Sequence, residues 1–293
     1  MGKDLVTFGY AAIDIIDTVQ RRGGSAANVA MNAEKLGYGA GLVSVFGTDE
    51  ISQTYWNHLA QLGVDLTFSL QIPGISLPTS TMSHTDRTSG WQDNGAADAM
   101  SQLHPREAAL RDVPVLHFAS ANPMLIKNTL PVIPVDALVS YSPGPKIVAS
   151  PELYLNKALL AKTTVLFLSE QEWMAVRDHL QLTTPQELLG FGPSAVIITQ
   201  GEKGALVVGK ENDTTVQCTI PATAVENPET TGAGDAFALG FLIGYTKGFD
   251  LATSGEIGGM LATCALQTIG GEIDKENIAG FQGEMARRGM QIL

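Results

Sequence analysis

The chain has 293 residues, 44% hydrophobic and 16% charged, a balance that supports a packed α/β core and excludes a disordered chain. Thirty acidic against 18 basic residues leave a net charge of −12 with no long basic stretch. That balance argues against nucleic acid as a partner and makes any phosphate site depend on local backbone donors, a metal ion and a few basic residues. Cys218 and Cys264 are too few for a disulfide framework, and the longest strongly apolar stretch, residues 236–245, is too short for a membrane span. A cytoplasmic protein with no membrane partner is expected.

In chain order, an apolar run at residues 5–8 predicts a strand, 25–36 a helix, 41–46 a strand and 50–62 a helix. This alternation predicts parallel βαβ units. Residues 79–84 and 89–93 are polar and Thr-rich, with no helix between them, and predict a β-hairpin projecting from the main sheet. Apolar runs at 113–118, 137–141, 164–168 and 195–199 predict buried central strands separated by helix-length segments, and a further strand is expected at 205–208. The C-terminal third predicts helices over 233–245, 251–269 and 275–288. The expected architecture is one α/β domain over residues 1–293, a doubly wound, mostly parallel sheet with helices on both faces.

The most informative segment reads Glu229-Thr230-Thr231-Gly232-Ala233-Gly234-Asp235, a small-residue turn running into an apolar helix. Small residues let backbone N–H groups approach an anion, and the helix start adds its positive dipole end. Asp235 then lies in the first turn, where it can take a proton from an attacking hydroxyl or simply cap the helix. Gly23-Gly24-Ser25-Ala26-Ala27-Asn28 opens a second helix, and Asn28 offers both donor and acceptor to sugar-like hydroxyls. Thr199-Gln200-Gly201-Glu202-Lys203-Gly204 follows an apolar strand, a position that suits either a ligand loop or a hairpin turn.

Other phosphate fingerprints fail. Residues 204–210 approach a P-loop, but Glu211 replaces the hydroxyl that would hold magnesium, and Gly37, Gly39 and Gly41 follow a helix rather than opening one. The five histidines, His58, His84, His104, His117 and His179, lack metal-ligand spacing.

Two such helix-opening motifs, in this order and about two hundred residues apart, resemble the ribokinase, or PfkB-type carbohydrate kinase, family along nearly the whole chain. The resemblance implies a ribokinase-like fold with a small, reduced β lid, its elements near residues 15–22 and 77–95, and ATP-dependent transfer to a primary hydroxyl of a sugar. It implies Asp235 as base, Gly232, Ala233 and Gly234 as anion hole, and Asp14, Gly24 and Asn28 on substrate hydroxyls. Thr199, Gly201 and Gly204 would line the ATP site, and Glu172 would act on Mg²⁺ through water. Ser169 stands where the family's N-x-x-E element has asparagine, and Glu229 stands where an aspartate tied to a monovalent cation is usual, so that cation is left open. Only residues 15–22 separate Asp14 from Gly23, a short first lid segment. A nucleoside kinase of the same family is the main alternative, and a catalytically silent sugar- or nucleotide-binding regulator the alternative of another class; His117, Phe118 and Asn122 could contact a base or a sugar, with packing an equal reading of His117 and Phe118. Either a monomer or a homodimer is expected.

Overall fold

The computed structural model describes residues 2–83, 88–212 and 214–290. The first eight strands are β1 (Leu5–Gly9), β2 (Ala12–Ile16), β3 (Val19–Gly23), β4 (Ala40–Val43), β5 (Val45–Phe46), β6 (Leu70–Gln71), β7 (Thr79–Ser83) and β8 (Thr88–Asp93). Six follow: β9 (Val115–Ala119), β10 (Leu138–Ser142), β11 (Val165–Ser169), β12 (Ala195–Thr199), β13 (Ala205–Glu211) and β14 (Thr214–Ile220). The central sheet has the order β14-β13-β12-β11-β10-β9-β1-β4, and its pairs from β4 to β12 are parallel. β13 runs antiparallel to both neighbours.

Strand alternation divides the core between the two faces of this sheet. Val165, Phe167, Ala195 and Ile197 pack with the Ser25–Lys35, Ala233–Thr246 and Leu251–Leu266 helices. Leu166, Leu168, Val196 and Ile198 pack on the other side with Leu125 and Ile126 of the Pro123–Thr129 helix and Val176 of the Glu170–Leu180 helix. Every residue of β1 and β9 is buried, as expected of strands covered on both faces. Asp49, Asp250 and Asp274 cap their helices by accepting from Ser52, Thr253 and Asn277 N–H groups.

A second sheet has the order β3-β2-β7-β8. The expected lid segment near 15–22 falls inside a hairpin that β2 and β3 form across 12–23. Its two-residue turn, Asp17–Thr18, has φ values of +46° and +83°, the geometry that matches the twist of flanking strands. Asp14, expected after the first strand, therefore sits within β2. The expected hairpin at 79–93 forms from β7 and β8, while its connection at 84–87, including His84, lies outside the described residues.

Two further differences have local causes. The run at 41–46 divides at Ser44, whose N–H bonds Ser69 Oγ at 3.0 Å and whose hydroxyl accepts Ala11 N–H at 3.1 Å. β5 then pairs with β6, outside the central sheet. β14, Thr- and Gln-containing and mostly exposed at the sheet edge, lacks the apolar run that marks the buried strands. Among the described residues no helix is long and apolar enough to cross a membrane.

Candidate active site

β1, β9, β10, β11 and β12 end together at Gly9, Ala119, Ser142, Ser169 and Thr199, and the second sheet adjoins this edge through the short link from β1 to β2. In open α/β sheets the carboxyl edge is where ligands bind. Asp14, buried on β2, accepts Ser80 Oγ from β7 at 2.5 Å, in line with the pairing of Asp14 and Ser80 across the two strands. The Asp14 carboxylate fills the space a side chain at Gly23 would need: a Cβ there would lie 1.8 Å from Oδ2. Tyr55, buried in the Glu50–Leu62 helix, donates to the Gly23 carbonyl at 2.9 Å. Burial raises the Asp14 carboxyl above its ordinary range, Ser80 opposes that, and the field of Glu229 adds to it.

Gly232 caps the Ala233–Thr246 helix in the left-handed conformation, φ +76°, with no side-chain cap. The first amides of a helix have no carbonyl behind them within the helix. Ala233 N–H turns to the Thr230 carbonyl and Ala236 N–H already bonds Gly232, so the Gly234 and Asp235 amides stand at the mouth of the turn. Nothing lies within 4 Å of a Cβ built on Gly234, which leaves open space above them.

Asp235 does not cap its helix. Its carboxylate accepts Asn28 Nδ2 at 2.8 Å across the site, with Ser25 also donating. Burial pushes the Asp235 carboxyl up to about 6, reinforced by Asp14 and opposed by the Asn28 and Ser25 hydrogen bonds. A carboxyl poised there serves as a proton acceptor at neutral pH. Asp14, Asn28, Asp235 and the 232–234 turn are thus assembled at one place from β2 and two helices.

The other predicted residues lie along the same edge. Thr199 is the register partner of Ser169 on β11, and Lys203 reaches Glu170 at 3.1 Å. The Gly201–Lys203 segment is one short helical turn in a β12–β13 hairpin, and Gly204 packs on Ile220–Ala222, where the chain leaves for the anion turn. Glu172 belongs to a capping box: its carboxylate accepts Ser169 N–H at 2.9 Å while Ser169 Oγ accepts Glu172 N–H at 3.3 Å. Burial raises the Glu172 carboxyl, Ser169 opposes this, and Asp235 adds to it. Glu229 is buried, takes Thr231 N–H at 2.8 Å and Gly270 N–H at 2.7 Å, and lines a groove of about 360 Å³ with Ala224, Asn227 and Thr268.

His117, Phe118 and Asn122 each make scaffold contacts. His117 is fully buried against Ser140 Oγ at 2.9 Å, and burial drops it to about 4. Phe118 stacks on Phe8 with ring centroids 4.6 Å apart, and Asn122 caps the next helix by accepting Met124 N–H. The sequence reading missed Ser25, Ser80 and Tyr55 as site neighbours. Ser25 stood in a quoted motif, whereas Ser80 and Tyr55 become legible only through tertiary pairing.

Comparison with known proteins identifies the family and the fold. The model of the pfkB family of carbohydrate kinases matches residues 3–278. Methanocaldococcus jannaschii nucleoside kinase is 28% identical over 291 residues, covering 92% of each chain. Thermococcus kodakarensis cytidine kinase is 29% identical, covering 84% of this chain and 89% of the relative. The crystal structure of the M. jannaschii enzyme, an archaeal member of the ribokinase family, superposes with a TM-score of 0.80 over 97% of this chain and all of the other, at 24% identity. The fold is that of a ribokinase-type phosphotransferase. The chain belongs to the pfkB carbohydrate kinase family, and its activity is ATP-dependent transfer to a hydroxyl of a sugar or nucleoside.

Proposed function

We propose that Asp235 is the general base that removes the proton of an acceptor's primary hydroxyl, while the turn of Gly232, Ala233 and Gly234 presents the Gly234 and Asp235 amides to the transferring γ-phosphoryl group. The observation that carries this reading is the Asp235 carboxylate, tied to Asn28 at 2.8 Å rather than capping its own helix and raised to about 6 beside an open amide turn. Such a carboxyl is ionised at pH 7 yet basic enough to accept the proton as the oxygen attacks phosphorus. The turn's amides and helix dipole counter charge on the phosphoryl oxygens. Asp14, Gly24 and Asn28 hold the acceptor's other hydroxyls, and Thr199, Gly201 and Gly204 line the nucleotide. The acceptor carries a furanose, and a nucleoside is the first to test because two relatives are nucleoside and cytidine kinases. The chain acts in the cytoplasm as one unit over residues 1–293, and the β2–β3 and β7–β8 hairpins cover the acceptor.

Among the described residues no three His, Cys, Asp or Glu side chains are grouped to hold a metal. Mg²⁺ would be held mainly by nucleotide phosphate oxygens and water, with Glu172 as the protein carboxylate that would orient one of those waters. When bound, the ion neutralises phosphate charge in an acidic protein. Glu229 accepts the Thr231 and Gly270 N–H groups and braces the turn.

Incubation with ATP, magnesium and a panel of nucleosides and sugars should release ADP only with acceptors that bear a primary hydroxyl. Equal ADP release from a 5′-deoxynucleoside and its parent would reject this acceptor chemistry. Glu172→Gln preserves the capping box, since Gln serves at that position. The variant should keep its melting temperature while its half-saturating magnesium concentration rises at least about threefold, the loss of one charge-assisted contact. Superimposable magnesium titrations would leave Glu172 as a helix cap alone.

A further inference from the structure

We propose that Gly271 is a positioning residue for phosphoryl transfer: by lacking a side chain it holds the Asn28 amide in the orientation that engages Asp235. The inference rests on the reading of Asp235 as base. A Cβ built on Gly271 would lie 2.3 Å from each of Cγ, Nδ2 and Oδ1 of Asn28, so the amide rests flat against this backbone. The same residue touches the anion turn, because a Cβ on Gly232 would lie 2.6 Å from the Gly271 Cα. One bare stretch of main chain thus abuts both parts of the site.

Neither partner moves without breaking hydrogen bonds. Asn28 is 2% exposed, and its Oδ1 is buried with no protein hydrogen-bond partner. An unsatisfied buried acceptor is costly, which leaves Oδ1 suited to a substrate hydroxyl. Segment 270–273 is clamped on both sides of Gly271. Gly270 N–H bonds Glu229, the Gly271 carbonyl accepts Asn32 Nδ2 at 2.9 Å, and Ile273 N–H returns to Asn32 Oδ1 at 3.0 Å. Glu272 pairs with Lys35 at 2.7 Å, His58 at 3.0 Å and Arg22 of β3 at 3.1 Å. A methyl group at 271 must therefore rotate the Asn28 amide and break its bond to Asp235.

A double-mutant cycle over Gly271→Ala and Asn28→Ala tests this, with kcat as the readout and melting temperature as the folding control. Gly271→Ala alone should lower kcat at least about tenfold, the scale of losing one hydrogen bond to a charged group. In the Asn28→Ala background, where the amide is gone, the same substitution should change kcat less than about threefold, within the scatter of independent sites. Gly271→Ala should also move the acid limb of kcat/KM to higher pH, because the carboxylate loses a donor while Asp14 and Glu172 still repel it and Ser25 remains. Multiplying losses, or an unmoved acid limb, would overturn the proposal. If Gly271→Ala does not fold, the double variant against Asn28→Ala still decides: equal kcat supports the inference and a further large drop rejects it. Asp235→Asn separates the two readings. Turnover surviving that change defeats the site assignment itself, whereas an inactive Asp235→Asn with a multiplicative cycle defeats only the role of Gly271.

Discussion

Asp235→Asn should lower kcat by about 10²–10⁴-fold, the usual contribution of a general base. The amide preserves the shape of the carboxylate but accepts no proton, and the Asn28 donor still finds an oxygen. ATP affinity should hold or increase, because a negative charge near the γ-phosphate is removed. The expected effect on stability has the opposite sign to that of a lost helix cap. Asp235 is raised from 3.8 to about 6, so the folded state binds its proton more tightly than the unfolded chain, and stability falls as pH rises through that window. At pH 7 the ionised group is a cost, and its removal should leave the melting temperature unchanged or higher. Loss of a cap would cost about 1 kcal/mol and spare turnover. Near-normal kcat with a lowered melting point is the outcome that rejects a catalytic Asp235.

Gly232→Ala should lower kcat by about 10²–10³-fold, the scale observed when one donor of an anion hole is lost. Two strains act together. The residue sits at φ +76°, where an L side chain costs roughly 1–2 kcal/mol, and the new methyl would meet the Gly271 Cα at 2.6 Å. The turn must shift to relieve the contact, which misaims the Gly234 and Asp235 amides. If these donors serve the migrating phosphoryl group as proposed, the loss should fall on kcat more than on KM for ATP. A kcat within about threefold of the parent, measured on a folded variant, would place the phosphoryl group elsewhere.

The elements most legible in the sequence are those whose burial pattern is uniform. The Glu50–Leu62 helix and the Ala195–Thr199 strand have the predicted bounds, since one is amphipathic with an Asp49 cap and the other is a continuous apolar run. β14 was not legible because a polar edge strand carries no apolar signal, and the Asp17–Thr18 turn lacks glycine although both residues adopt positive φ. In the site, Asp235, Asn28 and the 232–234 turn were legible because each opens a helix after glycine. That Asn28 would hold Asp235 was not, since 207 residues separate them and only the packed helices bring them together. Ser169 reads as a departure from the family's asparagine, and the structure gives it a physical role as the helix cap that fixes Glu172.

The pH dependence of kcat/KM for the acceptor, measured with saturating magnesium and ATP, tests the account most directly. A base that must be ionised predicts activity that is flat at neutral pH and falls tenfold per pH unit below an apparent pKa near 6, where burial and Asp14 place the Asp235 carboxyl. Bound phosphate would move that limb up rather than down. Activity that persists undiminished to pH 4.5 would show that no carboxyl raised to this value takes the proton, and would contradict the assignment of Asp235.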